Sequence, residues 1–134
     1  MIATIQATLQ TFQISQKEFP NIHGKNNKAN AFRHAFWNAL IAKKCIRFSS
    51  NIESVLDWTK KITDWHEEFA PNEKLAEMMD LHNNKIGRQK YREFGDESVK
   101  EMVKLMISEL DHAAKISDVS EIQQYSHQLV YIED

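Results

Sequence analysis

The 134-residue chain carries one cysteine, two prolines and three glycines. A single cysteine, Cys45, excludes an intrachain disulfide and suits a reducing compartment. So few prolines and glycines leave few turns, which argues against a β-sandwich or barrel. No apolar run approaches bilayer length, so no transmembrane segment is expected. The formal net charge is −2, so no global basic field gathers nucleic acid; a local basic cleft is the most the charge allows. Met1 to Leu9 has no basic segment followed by an apolar stretch, so a Sec signal peptide is not expected. The expectation is synthesis in the cytoplasm, with any export left to a specialised secretion system that needs no such leader.

What is present is globular. Hydrophobic residues make up 42% and charged residues 27% of the chain, enough for one self-sufficient domain over residues 1–134. Apolar spacing is helical almost throughout. Ile2, Ile5, Leu9 and Phe12 mark a first helix over Met1–Phe19, which Pro20 stops. Asn21 to Lys28 reads as a polar loop and Ala29 to Cys45 as a second helix. Ser50 or Asn51 can cap a third over Ile52–Phe69, with Ile52, Val55, Leu56, Trp58, Ile62, Trp65 and Phe69 as its apolar positions. After Pro71 a fourth runs to about Tyr91, and Phe94-Gly95-Asp96 is a turn. Glu97 to Lys115 is an amphipathic fifth helix, Ser117-Asp118 caps a stretch over Val119–Gln128, and Leu129 to Ile132 is helix or a short docked strand. The fold class is all-α, a single compact domain of five or six helices.

Two helices carry an unusual second face. In the second, Asn30, Arg33, His34, Trp37, Asn38 and Ile41 follow one another at helical spacing beside the apolar stripe of Phe32, Phe36, Ala39 and Leu40. This face holds no Lys or Glu, the usual occupants of a solvated surface. In the fourth, Asp80, Asn83, Asn84, Gly87, Arg88 and Tyr91 share a face, next to Leu75, Met79, His82 and Ile86. Asn-Asn inside a helix is unfavourable because the side chains compete for backbone, and Gly87 costs about 1 kcal/mol against Ala. A helix accepting both is expected to gain a close approach or a polar pocket; the alternative is a helix ending near Asn84. A half-buried polar stripe is either a paired structural network or the wall of a site. His66-Glu67, near the end of the third helix, adds a third contributor.

These segments bring acid–base chemistry within reach, since imidazole beside a carboxylate is a tuned base. The catalytic candidates are His34, His66, Glu67 and Asp80. His34 or His66 would be the base, with Glu67 or Asp80 orienting it. Arg33 and Arg88 suit an anionic group held bidentately, and Asn38, His82, Asn83 and Asn84 suit substrate binding or oxyanion stabilisation. The same set can hold a divalent metal through His34, His66, Asp80 or His82, with Glu67 as ligand or base, although no HxxxH or HExxH spacing demands one. His112 and His127 read as surface histidines, and His23 as an exposed loop residue.

Residues 30–39 (Asn-Ala-Phe-Arg-His-Ala-Phe-Trp-Asn-Ala), 65–67 (Trp-His-Glu) and 79–88 (Met-Asp-Leu-His-Asn-Asn-Lys-Ile-Gly-Arg) together resemble an uncharacterised bacterial domain family. That family is associated with the ends of secreted, toxin-like proteins and with small stand-alone chains. Leu129 to Ile132 also resembles its ending. Asn30 stands where the family usually has Asp, and Phe36 where it usually has Tyr, which weakens any ligand or base role at position 30. The resemblance implies a shared site rather than a named reaction.

The expected function is a hydrolase of the effector type, acting on an ester or phosphoester. A phospholipid or lipid-linked envelope precursor is favoured over nucleic acid, since an extended polymer strip needs more Lys and Arg. A cognate immunity protein would be its partner. The alternative is a non-enzymatic binding, immunity or adaptor module whose polar stripes are a buried network. The two differ in one observable feature, a concave opening over the histidine.

Overall fold

A computed structural model describes residues 2–20, 26–69 and 73–134. Among them, five α-helices carry the architecture: α1 (Ile2–Glu18), α2 (Lys28–Cys45), α3 (Ile52–Phe69), α4 (Lys74–Phe94) and α5 (Val99–Glu109). The all-α expectation holds. The caps explain where several helices start. Asn27 accepts from the Asn30 amide at 3.1 Å to open α2, and Asn51 accepts from Glu53 and Ser54 to open α3. Ser98 opens α5 in the same way. His23 and Pro71 lie outside the described residues.

α2 is the central element. Phe32, Ala35, Phe36, Ala39, Leu40 and Ile41 are fully buried along it, and α1, α3, α4 and α5 all pack against it. The closest crossing is with α4. A Cβ on Gly87 would lie 2.2 Å from the Ala35 carbonyl oxygen and 2.7 Å from its Cα. Only glycine lets the two backbones meet there, so the propensity cost of Gly87 is repaid by a close approach. α4 accordingly continues past Asn84 to Phe94.

α1 packs with its expected face turned outward. Thr4, Ala7, Thr11 and Ser15 are buried, whereas Ile2 and Leu9 are 72% and 62% exposed and Ile5 and Phe12 are exposed beside them. Small and hydroxyl side chains let α1 lie close on α2, with the larger apolar residues pushed to the outside. α3 behaves likewise beyond its first turn. Val55 and Leu56 are buried, but the continuing inner face is Thr59, Thr63 and Glu67, while Trp58 and Trp65 are exposed.

The C-terminal third departs from the expected helices. α5 ends at Glu109, a 3-10 turn spans Leu110–His112, and Ala114–Lys115 (β1) pairs in parallel with Val130–Tyr131 (β2). The expected helix to Lys115 is therefore shorter, because the Ala114 and Ile116 amides donate to the Leu129 and Tyr131 carbonyls instead. Val119–Tyr125 is a 3-10 segment capped by Asp118. Leu129 to Ile132 resolves as the docked strand, held by Asn83. The Asn83 amide donates to the Val130 carbonyl and accepts from the Val130 N–H, both at 2.9 Å.

Candidate functional site

The inner faces of α2, α3 and α4 build one polar centre. His34 on α2 stands at its middle. Its Nδ1 lies 3.0 Å from Asn84 Oδ1 and 3.6 Å from Glu67 Oε1, and its Nε2 lies 3.5 Å from Asp80 Oδ1. Glu67 is 5% exposed and Asp80 is also buried.

Two relays starting from arginines orient this centre. Arginine is only ever a donor. Arg88 donates to Asn38 Oδ1 at 2.9 Å, and Thr63 donates to the same oxygen at 3.1 Å. The Asn38 amide nitrogen must then point the other way; it donates to Asn84 Oδ1 at 2.8 Å and to the His34 carbonyl at 3.0 Å. Asn84 Oδ1 is thus the acceptor, so His34 Nδ1 carries a proton and Nε2 is turned toward Asp80. In the second relay Arg33 donates to Asn30 Oδ1 at 3.1 Å, and the Asn30 amide nitrogen donates to Asp80 Oδ1 at 3.0 Å. Asn30 therefore serves as a donor to the acid, a role the Asp of the resembled pattern could not fill when ionised.

Burial dominates the electrostatics. It holds the His34 pKa below the usual imidazole value, with Asp80 opposing. It pushes Glu67 up to about 8, reinforced by the charge of Asp80 and by a hydrogen bond to it. Burial also raises Asp80, while His34, Asn30, the Glu67 hydrogen bond and Arg33 pull it back. Burial lowers the guanidinium values of Arg33 and Arg88, opposed by Asp80 and Asp64 respectively.

A cleft of about 460 Å³ opens between α1, α2 and α3 over this centre. Thr4, Thr8, Thr11, Phe12, Ile62 and Trp65 form its walls, with Arg33, His34, Trp37 and His66 at the polar end. Trp37 is fixed by an indole hydrogen bond of 2.9 Å to Thr8 and by edge contacts with the rings of His34 and His66. Asp80 and Glu67 lie behind His34 rather than on the cleft surface.

The sequence candidates thus separate. His34, Glu67 and Asp80 come together, with Asn30, Arg33, Asn38, Asn84 and Arg88 around them. His66 is exposed at the cleft edge, its ring centroid 5.3 Å from that of Trp37. His82 turns away, its Nε2 2.8 Å from the Gln128 carbonyl oxygen, and Asn83 holds Val130. Of the residues considered for a metal, His34 and Asp80 stand together with Glu67, the expected ligand or base, and His66 and His82 do not join them. Thr63 is the participant that sequence reasoning passed over. Its signal was the Thr59, Thr63, Glu67 spacing on the inner face of α3. His112 and His127 are exposed, as expected.

Residues 1–114 match the family described as Domain of unknown function (DUF6973), and the chain belongs to that family. The match takes in every residue of the centre and stops before β2. Comparison with curated proteins and with solved structures finds no match for the chain.

Proposed function

We propose that the chain is a hydrolase of the effector type, acting on an ester or phosphoester with an apolar portion. A phospholipid or a lipid-linked envelope precursor is the favoured substrate. One observation carries this reading: an aromatic cleft that His34 helps to line, with two buried carboxylates against that histidine. A purely structural network has no need of an opening over its histidine.

In this reading the apolar portion lies along Phe12, Ile62 and Trp65. Arg33 faces the anionic group from the polar end of the cleft. The His34–Asp80–Glu67 centre takes a proton from a water as its oxygen attacks the ester carbon or phosphorus, and returns it to the leaving oxygen. Chains of this kind would act on a competing cell and would be neutralised at home by a cognate immunity protein.

Expression in a laboratory bacterium, in cytoplasmic and periplasm-targeted forms, tests this. Growth arrest in one compartment, lost in folded His34→Ala and Asp80→Ala variants, is the expected result. Normal growth in both compartments with well-folded wild type would favour the binding-module alternative.

A further inference from the structure

The two arginine relays meet without joining. One ends at the His34 ring and the other at Asp80 Oδ1. His34 Nε2 and Asp80 Oδ1 lie 3.5 Å apart, at the outer limit of hydrogen-bond reach. Nearby, Glu67 Oε1, on a side chain 5% exposed and 3.6 Å from His34 Nδ1, has no hydrogen-bond partner among the described residues. Buried acceptors without donors are costly, and such groups mark an ion or a strained functional site.

We propose that His34, Glu67 and Asp80 bind one first-row divalent cation. Each offers a ligand atom, and the three atoms lie within 4.8 Å of one another. A single ion with bonds of about 2.0–2.2 Å reaches such a set with small side-chain adjustment. The surrounding bonds fit a metal centre. The ligating imidazole gives its other N–H to Asn84, and the ligating carboxylate is hydrogen-bonded by Asn30, as outer partners of metal ligands are. One imidazole nitrogen with two carboxylates suits Mn²⁺, Fe²⁺ or Zn²⁺ better than Ca²⁺, which takes more oxygens and no nitrogen. The cation's place in catalysis rests on the hydrolase reading, and its binding does not. There it would acidify a bound water and polarise the ester or phosphoester oxygen, with His34 then a ligand and the water's proton passing to a carboxylate oxygen of Asp80 or Glu67 that the ion leaves free.

The test uses the full chain without a histidine tag, stripped with chelator and titrated with Mn²⁺ or Zn²⁺. One ion per chain is expected. Asp80→Asn and Glu67→Gln should each weaken binding about tenfold or more, and His66→Ala should leave it unchanged. Mn²⁺ added to wild type should broaden the NMR signals of His34 and Asn84 and spare those of His112 and His127, a readout that needs no variant to fold. Absence of a stoichiometric ion in folded wild type overturns the proposal. So does binding that both carboxamide variants retain, or broadening centred on the surface histidines. Full turnover by metal-free protein would overturn the cation's place in catalysis and leave the hydrolase standing. A bound ion without turnover would do the reverse.

Discussion

Arg88 Nη1 lies 2.9 Å from Asn38 Oδ1, and this contact, together with the His34 carbonyl that the Asn38 amide donates to, sets the direction of the hydrogen bonds from there to the His34 ring. Because guanidinium only donates, Asn38 must donate onward, Asn84 must accept, and His34 must hold its proton on Nδ1. Arg88 is thereby a positioning residue rather than a group facing the cleft. Arg88→Met should lower kcat by roughly 10–100-fold, the scale seen when outer partners of a site are lost, with little change in KM. A merely structural role would not move the tautomer. Nitrogen NMR of His34 should show a mixed tautomer in Arg88→Met and Nδ1–H alone in wild type.

Gly87 makes a stability prediction. A methyl at this position would press on the Ala35 backbone, which cannot rotate away. Gly87→Ala should destabilise by about 1–3 kcal/mol, although alanine is the better helix former, because overpacking outweighs propensity. Urea unfolding measures it, and an increase in stability would mean that α2 and α4 do not approach as described.

Asn83 predicts a local effect. Asn83→Ala leaves the Val130 N–H and carbonyl without their buried partner, at a cost of about 1–3 kcal/mol. Hydrogen exchange should accelerate at Val130 and across β1–β2, while the His34 signals stay in place. Loss of the His34 environment in this variant would place Asn83 in the site after all.

The buried hydroxyl of Thr11 has no hydrogen-bond partner among the described residues, yet it lies in the wall of the cleft. Thr11→Val removes the unsatisfied group at nearly constant shape, and thermal unfolding should show stability unchanged or raised by about 1 kcal/mol. If the hydroxyl is kept for a ligand, turnover should fall in the same variant. A clear loss of stability would show that Thr11 is bonded in solution.

The fold class, most helix starts and the polar centre were legible because they depend on local chemistry. Asn51 and Asp118 are caps, and the stripes of α2 and α4 break the usual rule that a second face carries Lys and Glu. The orientation of α1 was not legible. Ile2, Ile5, Leu9 and Phe12 have the period of a core face, but contact with α2 is made by Thr4, Ala7, Thr11 and Ser15, whose value is their small size. The end of α5 was hidden for another reason. Ala114 and Lys115 could continue a helix, and only pairing with a segment sixteen residues on withdraws their backbone. At the site, spacing gathered His66, His82 and Asn83 with the others. The α4 residues beside Asp80 face different neighbours, so that Asn84 turns to His34 and Asn83 to Val130.

On the proposed reading, the centre at His34 breaks an ester or phosphoester bond of a substrate with an apolar portion. The most direct measurement is mass spectrometry of the products from phospholipid vesicles incubated with purified chain, with divalent cations supplied, beside Asp80→Asn. One released class, fatty acid or phosphorylated headgroup, is expected from wild type and none from folded Asp80→Asn. Intact lipid with wild type, or equal product with both proteins, would overturn the reading.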